Sequence, residues 1–137
     1  MGYTGTNEDH LVNVYTPNQH HIDQYAYFGL IFGKQKELKI FRHSEIGAPE
    51  LFKTFKLSDA KNLSEIHTVV LPKFTSEKLI LFTATKILVM DLGSHQVELK
   101  YQSFNLQPYN IQIINTKYLY FQSLEGVCLL NLKGLAM

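Results

Sequence analysis

Tryptophan is absent from this chain of 137 residues, and cysteine and proline are scarce, with one and four residues. The single cysteine, Cys128, cannot form an internal disulfide, so we expect no disulfide framework. Charge is sparse and balanced, because 13 lysines and arginines face 12 aspartates and glutamates. A net charge of +1 gives no strong electrostatic case for binding DNA, RNA or an acidic membrane surface, although a peripheral contact with lipid is compatible with it.

Long hydrophobic runs are missing as well. The longest apolar stretch, Ala26–Gly33, is far shorter than the roughly 20 residues of a membrane-spanning helix. The polar segment Met1–His10 does not resemble a signal peptide. We therefore expect an intracellular protein, either cytoplasmic or nuclear, in which residues 1–10 form a flexible lead and residues 11–137 form one all-β domain.

Motifs of catalysis and metal binding are also absent. The sequence contains no GxxxxGK[ST], no CxxC pair and no G-x-S-x-G. His20 and His21 are adjacent, so in an extended segment they point in different directions, and the other histidines are scattered without zinc-helix spacing. We expect no catalytic, cofactor-binding or metal-binding residues and predict that the protein is not an enzyme.

The residues that are abundant favour β-strands. Tyrosine, phenylalanine, isoleucine, valine and threonine occur in short runs that turn-forming residues separate. A single helical turn is predicted within Ser58–Ile66. The predicted strands are Leu11–Tyr15, Tyr25–Phe32, Glu37–Arg42, Leu51–Leu57, Thr68–Lys73, Lys78–Thr83, Lys86–Asp91, Gln96–Phe104, Ile111–Asn115, Tyr118–Gln122 and Gly126–Leu132.

Apolar patterning predicts where some of these strands lie. The runs Leu79–Phe82 and Ile87–Met90 are apolar on both faces, which is typical of inner strands in a layered structure. Strict alternation in Leu51–Leu57 places Leu51 and Phe55 on one face and Phe52 on the other. Between two strong strands, Gly93 is expected to take a positive φ in a β-turn.

Regular spacing between similar runs is the most informative feature. The run Lys78–Phe82 returns 39 residues later at Lys117–Phe121, and Ile87–Leu92 returns 40 residues later at Val127–Leu132. Upstream, Leu38–Phe41 precedes Ile87–Met90 by 49 residues. A period of about 40–50 residues is typical of propeller blades, each a sheet of four antiparallel strands.

From about Tyr25 to Leu132 the chain resembles consecutive blades of a WD40-like β-propeller. In that family an apolar run followed by Trp-Asp, or a variant of it, ends the third strand of a blade. Met90-Asp91-Leu92 and Leu130-Asn131-Leu132 stand at this place without the Trp, and the Gly-His pair of the family is absent. The resemblance implies about three blades in an incomplete ring, since each blade takes roughly 40–45 residues. A single small β-barrel is the alternative.

Three blades would leave open edges and two apolar outer faces. We therefore predict a protein-interaction or scaffold module, completed by another copy or a partner chain through edge strands near Leu11–Tyr15 and Gly126–Leu132. The strand Leu11–Tyr15 is also a candidate for the missing fourth strand of the last unit. Aromatic residues dominate interface hot spots, and the candidates for partner binding are Tyr101, Tyr109 and Tyr118.

A basic hairpin supports the alternative function. Positive side chains surround the segment Phe32–Glu37, and lysines at a hairpin tip can bind phosphate groups, as in the pleckstrin-homology domains that this segment resembles. The alternative is therefore a small β-barrel that binds phosphorylated lipid headgroups at a membrane surface. Its candidate anion-binding residues are Lys34, Lys36, Lys39, Arg42 and His43.

Overall fold

A computed structural model describes residues 9–16, 26–43, 47–57, 61–72, 77–114 and 117–132. Strands dominate these residues, and a 3-10 turn at Leu63–Glu65 is the one helical element named among them. The all-β prediction is confirmed. The strands are β1 His10–Tyr15, β2 Ala26–Phe32, β3 Glu37–His43, β4 Glu50–Lys56, β5 Thr68–Val70, β6 Lys78–Phe82, β7 Lys86–Asp91, β8 Val97–Gln102, β9 Tyr109–Ile114, β10 Tyr118–Ser123 and β11 Gly126–Asn131.

Each predicted strand overlaps an observed one, and the differences lie at the ends. His10 already belongs to β1, and β5 ends at Val70 rather than Lys73. Phe104 lies in a turn beyond the end of β8. The helical turn follows Asn62, which has a left-handed backbone and no side-chain cap. Ser58, the predicted cap, and the histidine pair His20-His21 lie outside the described residues.

Three antiparallel units make up the fold. Unit A is β1–β4, unit B is β5–β8 and unit C is β9–β11, and within each unit the strands pair in chain order. Units A and B form one eight-stranded sheet, because β1 and β5 pair in parallel. Unit C forms a separate sheet of three strands.

The first strand of the chain is therefore internal. β1 pairs with β2 on one side and with β5 on the other, and the carbonyl oxygen of Tyr15 accepts a 2.9 Å hydrogen bond from the Leu71 amide. The predictions that Leu11–Tyr15 is an open edge, or fills a fourth position in the last unit, are wrong. The chain uses this strand to join two units instead.

Two apolar cores hold the units face to face, and the strands β6 and β7 of unit B are buried on both sides. Alternate residues of these two strands enter each core, which confirms the prediction that they are inner strands. The first core lies between units A and B and includes Val12, Val14, Ile31, Leu38, Ile40, Val69, Leu71, Leu79, Leu81 and Met90. The second lies between units B and C and includes Val70, Ile80, Phe82, Ile87, Val89, Ile111, Leu119, Phe121 and Leu132.

Two local predictions are wrong for identifiable reasons. The pairing of β3 with β4 shifts by one residue between Ile40 and Phe41, so Phe52 and Phe55 both pack against the first core. Strict alternation cannot hold across such a bulge.

In the β7–β8 turn the positive φ occurs at His95 and not at Gly93. In this turn the Asp91 carboxylate accepts hydrogen bonds from the backbone amides of Gly93 and Ser94, at 2.8 and 3.0 Å.

The eight-stranded sheet is open at both ends. Its strand order begins at β4 and finishes at β8, and no pairing among the described strands joins the two. The described strands therefore do not form the single closed barrel that was the alternative prediction.

Candidate interaction site

The face of unit A that points away from the first core carries apolar side chains. Strand registers place Phe28 opposite Phe41 and Leu30 opposite both Leu11 and Lys39. The rings of Phe28 and Phe41 stack with centroids 5.3 Å apart, and Leu11 is exposed. We call this surface outer face A. Its apolar members are Leu11, Phe28, Leu30, Phe32, Phe41 and Leu51.

Unit C exposes a second apolar face. In β11, Cys128 and Leu130 point toward the second core, while Val127 and Leu129 alternate with them and are 66% and 59% exposed. Registers bring Tyr120 beside Leu129 and Tyr118 beside Ile114 on the same side. We call this surface outer face C, and its apolar members are Ile114, Tyr118, Tyr120, Val127 and Leu129.

The free edges of the sheets differ in charge. β4 carries Glu50, Lys53 and Lys56, and β8 carries Glu98 and Lys100. Charged residues on an edge discourage pairing with another strand. β11, with the sequence GVCLLN, carries neither charge nor proline. β9 is uncharged too, but it lies against β1.

Tyr101 joins units B and C. Its hydroxyl donates to Oε1 of Glu125 at 2.8 Å, and the Ser103 hydroxyl donates to Oε2 at 2.7 Å. These two bonds favour the ionised carboxylate and lower the pKa of Glu125. The same carboxylate raises the pKa of Tyr101. The predicted partner-binding residue therefore has a partner within the chain.

The other two predicted tyrosines lie apart. Tyr118 pairs with Ile114 at one end of β10, whereas Tyr109 pairs with Gln122 near the other. Four residues of strand separate these positions by about 13 Å. Both rings are exposed. The three tyrosines therefore do not form one patch, and Tyr118 lies on outer face C.

The basic residues of the hairpin are divided in the same way. Lys34 and Lys36 are exposed in the β2–β3 turn, while Arg42 and His43 lie at the far end of β3. Six residues of strand put about 20 Å between the two ends. Arg42 forms an ion pair with Glu50 at 2.8 Å, and Lys39 lies 5.8 Å from the centre of the Phe32 ring. The structure does not bring the five residues together.

Sequence reasoning missed two exposed apolar side chains. Phe104 is 90% exposed and Leu124, in the β10–β11 turn, is 70% exposed. Phe104 was assigned to the end of a strand, where a large aromatic residue is ordinary. The neighbouring Asn105 and the Gln107-Pro108 pair were the signal that a turn begins earlier.

Among the described residues, the histidine, cysteine and acidic side chains do not form a cluster. His10 donates from Nε2 to the Ile66 carbonyl oxygen at 2.6 Å, and His67 lies beside Thr68 with its Nδ1 2.7 Å from Oγ1. Partial burial lowers the pKa of His67. Within the described ranges, no three histidine, cysteine, aspartate or glutamate residues are grouped to hold a metal ion. No helix there is long and apolar enough to cross a membrane.

Comparisons with protein-family models, with curated proteins and with solved structures found no match to this chain.

Proposed function

We propose that this chain is a non-catalytic protein-interaction module of three propeller-type blades, which another copy or a partner chain completes. The observation that carries the proposal is the layered arrangement of units A, B and C. Strands β6 and β7 of unit B are buried on both faces, while outer faces A and C expose apolar side chains that the described residues do not cover. Faces of this kind mark surfaces that bind another protein.

The positions of the repeated runs support the blade assignment. The run at 78–82 is the second strand of unit B, and the similar run at 117–121 covers most of the second strand of unit C. Likewise the runs at 87–92 and 127–132 correspond to the third strands of the two units. Sequence similarity therefore follows structural position, as it does in repeat architectures.

Ring closure explains why such a module needs a partner. Propellers close with 4–8 blades, and closure covers every blade face with its neighbour. Three units leave the first and the last face open. A second copy, or blades from another protein, would cover them and make this chain one part of a larger assembly.

Substitutions on outer face A test the proposal. We expect the double variant Leu11→Ser/Leu51→Ser to bind less of an apolar fluorescent dye, or to form smaller assemblies, than the wild-type chain. Leu124→Ser, an exposed leucine in a turn, is the matched control and should change neither property. If dye binding and assembly size are the same in the double variant and the wild type, with the fold intact by circular dichroism, the proposed function is wrong.

A second candidate function rests on the hairpin tip. Lys34 and Lys36 are exposed there, and neither forms an ion pair with a described residue. Two lysines in such a turn could contact phosphorylated lipid headgroups. Liposome sedimentation of the wild type beside Lys34→Glu/Lys36→Glu tests this function. Binding that the double variant loses supports it, and binding that is absent or unchanged rejects it.

A further inference from the structure

Outer face C belongs to a sheet whose strands carry no charged residue. They read YNIQII in β9, YLYFQS in β10 and GVCLLN in β11. Charged residues make up 18% of the chain, and the solvent-facing side of an antiparallel sheet is where they are ordinarily found. A face that instead exposes uncharged and apolar side chains is suited to being covered by protein.

Outer face A differs from outer face C in its charge. Lys39 lies over the Phe32 ring on this face, and Glu37 forms an ion pair with Lys56 at the same end of the sheet. The three charges leave this end net positive, so two copies of outer face A would repel each other if they packed together. Outer face C brings no like charge, and the Gln112 amide can accept a hydrogen bond from a lysine.

The size of the two faces suits a stable contact between copies. Three strands of six residues give outer face C a flat area of about 14 by 20 Å, and the four strands of unit A are wide enough to cover it. Two such contacts, counted on both copies, bury about 1,100 Å² before the relief of the side chains is added. Stable interfaces bury about 1,200–2,000 Å².

We propose that outer face A of one copy packs on outer face C of a second copy, and that the reciprocal contact closes a two-fold dimer. This inference rests on the proposed function and names its partner. Both open faces are then covered in each copy, whereas a dimer through one face alone would leave the other exposed. Two copies supply six units, within the range of 4–8 blades that close a propeller, and three copies would exceed it.

The contact continues the stacking that is already present within the chain. The first core joins units A and B, and the second joins units B and C, each through apolar side chains from both sheets. A third core of the same kind would form where unit C meets unit A of the other copy. Exposed Leu11 and Leu51 would enter it from one side, and exposed Ile114, Val127 and Leu129 from the other.

Charge substitutions on each face test the pairing. Leu11→Glu on outer face A and Leu129→Lys on outer face C should each run at the mass of one chain in light scattering, because either charge disrupts both contacts of the dimer. Leu124→Glu is the matched control and should stay dimeric, since Leu124 is 70% exposed in a turn, as Leu11 is 68% exposed on the face.

Mixing the two variants tests which faces meet. A mixed dimer keeps one unaltered contact and sets Glu against Lys in the other contact, so the mixture should recover the dimer mass, which also shows that both variants are folded. If only one of the two variants becomes a monomer, or the mixture stays monomeric, the pairing of face A with face C is wrong.

The mass of the wild type separates this inference from the proposed function. A monomer, or an assembly of more than two chains, would overturn the two-copy dimer. The proposed function fails on a different result, which is unchanged dye binding and assembly size in the variant Leu11→Ser/Leu51→Ser.

Discussion

The Tyr101 hydroxyl donates a 2.8 Å hydrogen bond to Glu125, and so links the last strand of unit B to the β10–β11 turn of unit C. Removing this donor by Tyr101→Phe should raise the pKa of Glu125 toward its ordinary value, although Ser103 still donates. An NMR titration of the Glu125 carboxyl group measures the shift. Tyr118→Phe, at the far end of β10, is the control, and an equal pKa in all three proteins would show that the bond does not form in solution.

His67 gives the stability a pH dependence of known sign. Burial lowers its pKa from 6.5, so the folded state binds the proton more weakly than the unfolded chain. The free energy of unfolding should be highest above pH 6.5 and should fall as the pH drops toward the lowered value. Urea unfolding at pH 7.5 and 5.5 measures this fall. His67→Gln should reduce it, and an unchanged pH dependence would mean that other groups cause it.

Gly29 is required by the close approach of β1 to β2. A Cβ atom there would lie 2.8 Å from Cγ2 of Val12 and 2.9 Å from Cγ2 of Val14. Gly29→Ala should therefore lower the free energy of unfolding by about 1–3 kcal/mol, through overpacking of the first core. Gly93→Ala is the control, since its Cβ would meet only an exposed carboxylate oxygen of Asp91 at 3.3 Å. If chemical denaturation shows the same loss of unfolding free energy in Gly29→Ala and Gly93→Ala, the close packing of Gly29 against Val12 and Val14 is wrong.

Phe82 and Phe121 pack edge to face across the second core, with ring centroids 5.4 Å apart. Phe121→Ala should cost about 3–5 kcal/mol, because it removes a fully buried ring and leaves a cavity. Leu124→Ala, at an exposed turn position nearby in sequence, should change stability by no more than about 0.5 kcal/mol. Unfolding by denaturant measures the free energy of unfolding of both variants. A small loss in Phe121→Ala would mean that units B and C are not packed together.

Strand positions were predictable because the apolar runs are short and because turn-forming residues separate them. The burial of both faces of β6 and β7 follows from runs such as 79–82, which have no polar alternation. The role of β1 was not predictable. Its alternation, with Val12 and Val14 buried between exposed residues, is the same for an edge strand and for an internal strand. Only the parallel pairing with β5 distinguishes them.

The sequence predicted that apolar outer faces exist, but it did not predict which residues lie together on them. Counting blades indicated two apolar outer faces. The sequence did not show that the chosen tyrosines lie at strand ends up to about 13 Å apart, because that distance depends on how the strands pair. The basic cluster separated for the same reason, since Lys34 and His43 lie at opposite ends of one hairpin. The contrast between a charged β8 and an uncharged β11 is visible in the sequence, yet it has meaning only once both are known to be edges.

The solution mass of the wild-type chain tests the central claim most directly. Light scattering on a sizing column at two protein concentrations should give twice the mass of the 15.8 kDa chain, with a monomer gaining population on dilution. A mass of 15.8 kDa at both concentrations would contradict completion by a second copy.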